Sequence, residues 1–507
     1  MSDNADQNAR APLAGSADPD KVATSPAPHS PGAAPMREMK ADLVVIGAGS
    51  AGLSAAAGAA QFGLSVVLYE KGEMGGDCLN SGCVPSKALL SAAKAAAQVR
   101  EAGKFGIETT PPRIDWEKVK LHVRTSIATI APVDSQERFE GLGCTVIREH
   151  AKFASPDTVI SPTTRVKARR IIIATGSRAF IPPIEGLANT PYLTNETLFA
   201  QRDAPGHLLI LGGGPIGVEM AQAHARLGCK VTIVEADRAL GREDPEAAAV
   251  VLDALRRDGV RIVEQARVSR VAGQAGAITL STEAGETLTG THLLVAVGRQ
   301  VMTDGLGLDA AGIETSKTGI KVDAGLRTTN RRAYAIGDAA GGMQFTHLAG
   351  YHASVILRSM LFALPARAST HYIPRVTYAD PELAHVGLTE AGAREYHGDR
   401  LTIARFDMAE NDRAIAERRT EGAIKVMVVR GRPVGATIVG VRAGEQIAIW
   451  GLAIAQKLKM SQVAGMIVPY PTYAEVNKRA AGAYFSPRLF DSQAVKRVVR
   501  LVQSVLP

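Results

Sequence analysis

The chain has 507 residues, of which 46% are hydrophobic and 21% charged, and a net charge of +8. That length admits about three domains. Lys and Arg are scattered among Asp and Glu rather than clustered with aromatic residues, which argues against nucleic-acid binding, and no run approaches the ~18 apolar residues of a membrane-spanning helix.

Residues 1–38 are rich in Ala, Pro, Ser and Asp without hydrophobic periodicity and read as a flexible tail. The tail lacks the apolar core of a signal peptide, and Asp3, Asp6, Asp18 and Asp20 argue against a transit peptide, so a cytoplasmic location is expected. An apolar strand over 41–46 then leads into Gly47-Ala-Gly49-Ser-Ala-Gly52, an Ala-rich helix to about residue 62, and a second strand over 66–69 that ends on Glu70. Strand, glycines, helix and acid together form a dinucleotide fingerprint. Gly47 makes the turn, Gly49 lets the pyrophosphate approach, Gly52 lets the helix pack, and Glu70 meets ribose hydroxyls.

The next stretch, Gly75-Gly-Asp-Cys78-Leu-Asn-Ser-Gly-Cys83-Val-Pro-Ser-Lys87, separates two cysteines by four residues. A turn at Asn80, Ser81 and Gly82 would bring them to disulfide distance. The apolar run after Pro85 predicts a helix, so Cys83 falls near a helix N-terminus, a position that favours its thiolate. A redox pair is expected rather than a structural disulfide, since no secretion signal precedes it. Cys144 and Cys229 both follow a Leu-Gly pair and open a strand, and read as small core residues.

The fingerprint recurs: a strand over 208–211, Gly212-Gly-Gly214-Pro-Ile-Gly217, a helix through about residue 227, and a strand over 231–234 ending on Glu235. Two nucleotide sites and a cysteine pair make sense as a relay, in which a nicotinamide passes hydride to a flavin and the flavin passes an electron pair to the disulfide.

From about Ala41 to Ala481 the chain resembles the pyridine nucleotide-disulfide oxidoreductases, the family of dihydrolipoamide dehydrogenase, glutathione reductase and mercuric reductase. Besides the stretches above, the resemblance rests on IIIATGSRAFIPPIEG at 171–186, LLVAVGRQ at 293–300, AYAIGDAAGG at 333–342 and DPELAHVGLTE at 380–390. It implies an α/β fold with two Rossmann-like dinucleotide-binding domains, for FAD and NAD(P), and a C-terminal α+β dimerisation domain. The expected partition is FAD-binding at 39–188 and 299–368, NAD(P)-binding at 189–298, an interface domain at 369–482 and an amphipathic C-terminal helix at 483–507.

Carried over by position, the resemblance implies that Gly47, Gly49, Gly52, Glu70, Thr175, Gly176 and Asp338 bind FAD, Asp338 through the ribityl chain, with His347 in the segment beside the flavin. Gly212, Gly214, Gly217, Glu235 and Gly298 would bind NAD(P). Cys83 is then the sulfur next to the flavin and Cys78 the thiol that exchanges with substrate, while Lys87 and Glu219 form a pair contacting the flavin near the arriving nicotinamide. Glu235 would repel a 2'-phosphate, which favours NADH, although Arg238 and Arg242 follow closely.

The pattern departs from its relatives at VPYPTYAEVNKRAA, 468–481. Lipoamide and glutathione enzymes place there a histidine held by a glutamate five positions later; here Glu475 is present and the histidine position is Tyr470. A phenol with an ordinary pKa near 10 is a poor proton carrier at neutral pH. Mercuric reductases also have tyrosine there, where its oxygen can approach a thiolate-bound metal ion, but Tyr470 could equally serve only to fill the pocket. The chain lacks the C-terminal cysteine pair and N-terminal Cys-x-x-Cys domain of true mercuric reductases, and no resident metal is expected.

The expectation is therefore a homodimeric FAD enzyme that uses NAD(P)H to reduce Cys78 and Cys83 and passes electrons to a small disulfide or a thiophilic metal acceptor. The alternatives are a dihydrolipoamide dehydrogenase of a multienzyme complex and a low-turnover flavin redox sensor. The apolar and basic residues of 489–506 predict a helix that either packs on its own domain or touches a membrane surface weakly.

Overall fold

The computed structural model describes residues 36–506. Most of the expected tail lies outside the described residues, but its last three positions do not, and two of them open the first strand: β1 runs Arg37–Ile46. Residues 37 and 38 extend it by pairing with Thr164 and Arg165.

Three sheets carry the architecture. In the first, β1 is flanked on one side by β2 (Val66–Tyr69) and β3 (Cys144–Ile147), and on the other by β4 (Thr164–Ile173). All of these pairings are parallel. Helix α1 (Ser50–Gln61) makes the β1–β2 crossover. A later strand, Ala333–Ala335, returns to pair with β4, so this domain is assembled from two separated parts of the chain. The second parallel sheet contains β5 (His207–Leu211), β6 (Lys230–Val234) and the strands Arg261–Val263 and His292–Val295. Its helix, Pro215–Arg226, links β5 to β6. β2, β5 and β6 are buried along nearly their whole length, and β1 and β4 over their last residues, as helices on the sheet faces require. The third sheet has five antiparallel strands between 375 and 440, covered by the helix Ala443–Ala455 around the fully buried Trp450.

The C-terminal segment differs from the single helix expected. It forms two, Ser486–Phe490 and Gln493–Val505, because the Ser492 hydroxyl caps the second by accepting from the Val495 amide at 3.4 Å. Nor does the longer helix pack on its own domain: none of its residues is buried.

Candidate active site

The two glycine-rich turns are built alike for steric reasons. Gly47 has φ +105°, and a Cβ there would lie 2.4 Å from the Ala174 carbonyl oxygen; a Cβ on Gly52 would lie 1.8 Å from the Gly47 oxygen. Gly212, at φ +112°, and Gly217 repeat both collisions, against Ala296 and Gly212 at 2.5 and 2.1 Å. Only glycine allows the strand to turn this tightly into the helix and leave amides facing outward. The acid after the second strand closes each turn. Glu70 accepts from Ala48 and Gly72 amides at 2.7 Å each, and Glu235 from Gly213 and Asp237 at 2.6 and 3.0 Å.

Both turns open into one cleft of about 2310 Å³, which also contains Cys78, Cys83, Lys87, Glu219, Thr175, Gly176, Asp338, His347, Gly214 and Gly298. Gly49 lines it as well, while Gly52 and Gly217 lie behind the turns as packing positions. The expected pair Tyr470 and Glu475 is not among the cleft residues.

The redox stretch folds as a short helix, α2 (Gly76–Asn80), and a long one, α3 (Cys83–Glu101), with Ser81 and Gly82 turning between them. Cys78 therefore rides on α2, and Cys83 is the first residue of α3. Both sulfurs are free thiols, and each sets the other's titration. The bond from Cys78, the hydroxyl of Thr346 and the charge of Lys87 outweigh desolvation and pull the Cys83 thiol down to about 6. Cys78 moves the other way, because it donates to Cys83 and is itself partly buried. Thr346 Oγ1 lies 3.3 Å from Cys83 Sγ and begins the 17-residue helix Thr346–Phe362, whose N-terminal dipole also favours a thiolate.

Lys87, one turn along α3 from Cys83, donates to Glu219 at 2.9 Å. Glu219 is buried, and its second oxygen accepts from the Tyr378 amide at 2.9 Å. The Lys87 ammonium also sits 4.3 Å from the centre of the Tyr378 ring. Tyr378 thus holds both members of the pair, a role that no local pattern around it signals.

A second unforeseen network ties the redox stretch to Asp338. Arg299 donates to Asp77 at 2.9 Å and to the Ser177 hydroxyl and carbonyl at 2.7 and 2.9 Å. Ser177 in turn donates to Asp338 at 2.5 Å, and burial raises the Asp338 carboxyl above its ordinary value. Asp77 also accepts from Ser81 and Asn195, both at 2.7 Å. Thr175 donates to the Met302 carbonyl at 2.7 Å, and His347 contacts the Pro374 carbonyl at 2.8 Å while stacking on Phe345.

Tyr470 is 68% exposed, and its hydroxyl donates to Asp412 at 2.7 Å, an interaction that raises its pKa. The arrangement known for the family's histidine is not reproduced, since Glu475 is taken up by Arg479 at 3.0 Å. Cys144 and Cys229 are buried thiols, each pushed up to about 11 by desolvation, in keeping with the expected core role.

A flavin-sized cleft joining two dinucleotide cradles to a thiolate-poised cysteine pair defines a flavoprotein disulfide reductase. The chain belongs to the pyridine nucleotide-disulphide oxidoreductase family, whose model matches residues 41–353, with that family's dimerisation domain at 373–481. It is 35% identical over 457 residues to a mercuric reductase of Streptomyces lividans, covering 88% of this chain and 96% of the relative. It is also 33% identical over 443 residues to a dihydrolipoyl dehydrogenase of Bacillus subtilis strain 168, covering 85% and 96%. Among solved structures it resembles the HOCl-induced flavoprotein disulfide reductase RclA of Escherichia coli, with a TM-score of 0.78 and 29% identity over 87% of this chain and 99% of that one. The protein is an oxidoreductase, and its family uses FAD and NAD(P)H.

The residues fit those cofactors. The first cradle, Glu70 and Asp338 suit FAD, and the second cradle with Glu235 suits the nicotinamide nucleotide.

Proposed function

We propose that the protein oxidises NADH and delivers the electrons, through Cys78 and Cys83, to a thiophilic metal ion such as thiol-complexed Hg(II). The observation that carries this reading is the Tyr470–Asp412 hydrogen bond. A phenol that donates to a carboxylate keeps its proton at neutral pH, so it cannot take one from a dithiol, but its oxygen lone pairs remain free to meet a soft cation held by sulfur. In the dimer implied by residues 373–481, Tyr470 of one subunit would complete the acceptor site of the other.

When bound, FAD supplies a two-electron relay between nicotinamide and disulfide. The chain's own residues then have distinct tasks. Lys87, fixed by Glu219 and Tyr378, would place a cation beside a bound flavin, where it would stabilise the reduced, anionic ring. Thr346 and Cys78 stabilise the Cys83 thiolate, and Cys78 meets the acceptor. Reduction of one Hg(II) to Hg(0) consumes the hydride's two electrons, and the two thiolates that leave the metal take up the hydride's proton and one from solvent, so the metal centre itself needs no general acid. Glu235, held in place by two backbone amides, would disfavour the 2'-phosphate of NADPH. Relatives named for mercury reduction and a Cu(II) complex of RclA support a metal acceptor.

The test is steady-state NADH oxidation by the flavin-loaded protein with thiol-complexed Hg(II) or with lipoamide. Turnover with mercury that drops about ten-fold in Tyr470→Phe, the size of a lost ~1.4 kcal/mol contact, is expected. Rapid lipoamide turnover without mercury turnover overturns the reading and restores the dihydrolipoamide alternative.

A further inference from the structure

The helix Gln493–Val505 lies beyond the segment matched by the dimerisation domain and presents an apolar face that nothing in the described chain covers. Val498, Val499, Leu501, Val502, Val505 and Leu506 are between 42% and 75% exposed. At 100° per residue these side chains, with Val495, fill a continuous arc of roughly 160°. Lys496, Arg497 and Arg500 occupy the remainder, with Arg497 bordering one edge of the arc and Lys496 nearest the other. None of the three forms an ion pair among the described residues, and no acidic side chain occurs from Ser492 to Pro507.

This distribution selects among occupants. A second copy of the helix would bring the same three cations and no carboxylate, so pairing the two faces concentrates like charge. A core-packed helix would have its apolar arc buried, and this one does not. Spanning is also excluded, because no described helix is long and apolar enough to cross a bilayer. An anionic lipid surface satisfies both faces at once: the valines and leucines enter the boundary between headgroups and acyl chains, and the flanking cations meet phosphates. The short helix before it adds exposed Leu489 and Phe490 to the same C-terminal segment.

We infer that this helix is an in-plane anchor that attaches the enzyme reversibly to an anionic membrane surface, where it would meet acceptors arriving at the bilayer. At about 20 Å in length it is a weak anchor by itself, and two copies on one dimer add avidity.

The test uses the full-length, flavin-loaded protein, sedimented with vesicles of phosphatidylcholine alone or with about a third phosphatidylglycerol. Sedimentation with the anionic vesicles only, lost at 0.5 M salt, is expected. The double variant Val498→Glu/Val502→Glu should abolish it, and Arg497→Gln, at the edge of the apolar arc, should weaken partitioning about five-fold, the factor for ~1 kcal/mol per basic residue. Both variants should keep wild-type NADH oxidation and the wild-type dimer mass, since the helix is outside the cleft. Equal or absent binding to both vesicle types overturns the inference. So does a wild-type mass above the dimer that the double variant restores to a dimer, which would make the occupant a second copy.

Discussion

Thr346→Val probes how the structure holds Cys83 as a thiolate. The substitution keeps the shape and branching of the side chain and deletes only the hydroxyl, 3.3 Å from Cys83 Sγ. A single hydrogen bond of this kind contributes about 1 kcal/mol, and one pKa unit corresponds to ~1.36 kcal/mol. Its loss should therefore raise the Cys83 midpoint by about 0.7 unit from its starting value of about 6. The bond from Cys78 and the charge of Lys87 remain, so the midpoint stays below that of a free thiol. The assay is the pH dependence of iodoacetamide alkylation of the reduced protein. Cys144 and Cys229, buried and raised to about 11, contribute little below pH 8. Thr346→Ser should return the midpoint to the wild-type value. A midpoint that does not move in Thr346→Val, or moves down, refutes the assignment and leaves the thiolate to Cys78 and Lys87 alone.

Arg299→Met removes three hydrogen bonds, two to Ser177 and one to the partly exposed Asp77 carboxylate. At about 1 kcal/mol each the loss is about 3 kcal/mol, which for a chain of this size lowers the thermal midpoint by about 3 °C; differential scanning calorimetry showing no shift would remove the network from the stabilising contacts. The reduced protein should also gain stability with rising pH between about 6 and 9. Cys83 has a folded pKa below its unfolded value, so the unfolded state binds more protons there, and the contribution is lost as pH falls through about 6. Above about pH 9 the raised Cys78 reverses the slope. Denaturation in the presence of reductant checks this, and an identical pH slope in Cys83→Ser would contradict it.

What could be read from the sequence was whatever depends on short spacings. The fingerprint glycines fall within six residues of one another, and Gly52 and Gly217 meet the first glycine of their own turn, so both nucleotide cradles were legible, whereas the collisions of Gly47 with Ala174 and of Gly212 with Ala296 were not. Cys83 and Lys87, four apart, fall on one helical face, which made the cation beside the thiolate legible too. Contacts across long separations were not. Thr346 reaches Cys83 over 263 positions, Arg299 reaches Asp77 only after two distant stretches of the chain have come together, and Tyr378 meets Lys87 through its ring face. Thr346 did carry one signal, a hydroxyl next to His347 in a segment already expected beside the flavin. The C-terminal pattern looked continuous because apolar periodicity alone does not register a serine that stops one helix and caps the next.

The same distinction bears on the acceptor. Reading Tyr470 by position paired it with Glu475, five residues on, because that is where the family's histidine finds its glutamate. In the folded chain Arg479 takes Glu475, and Asp412, 58 positions away, takes the phenol. The exchange changes the proton inventory. A histidine between a glutamate and a sulfur can pass a proton in either direction near neutral pH, as a dithiol–disulfide exchange demands. A phenol bound to an aspartate has one proton, directed away from any third partner, and a raised pKa that keeps it there. On the proposed reading the site is therefore specialised by subtraction. It retains the thiolate and the electron route, loses the proton shuttle, and so favours an acceptor whose reducible centre takes up electrons without a delivered proton.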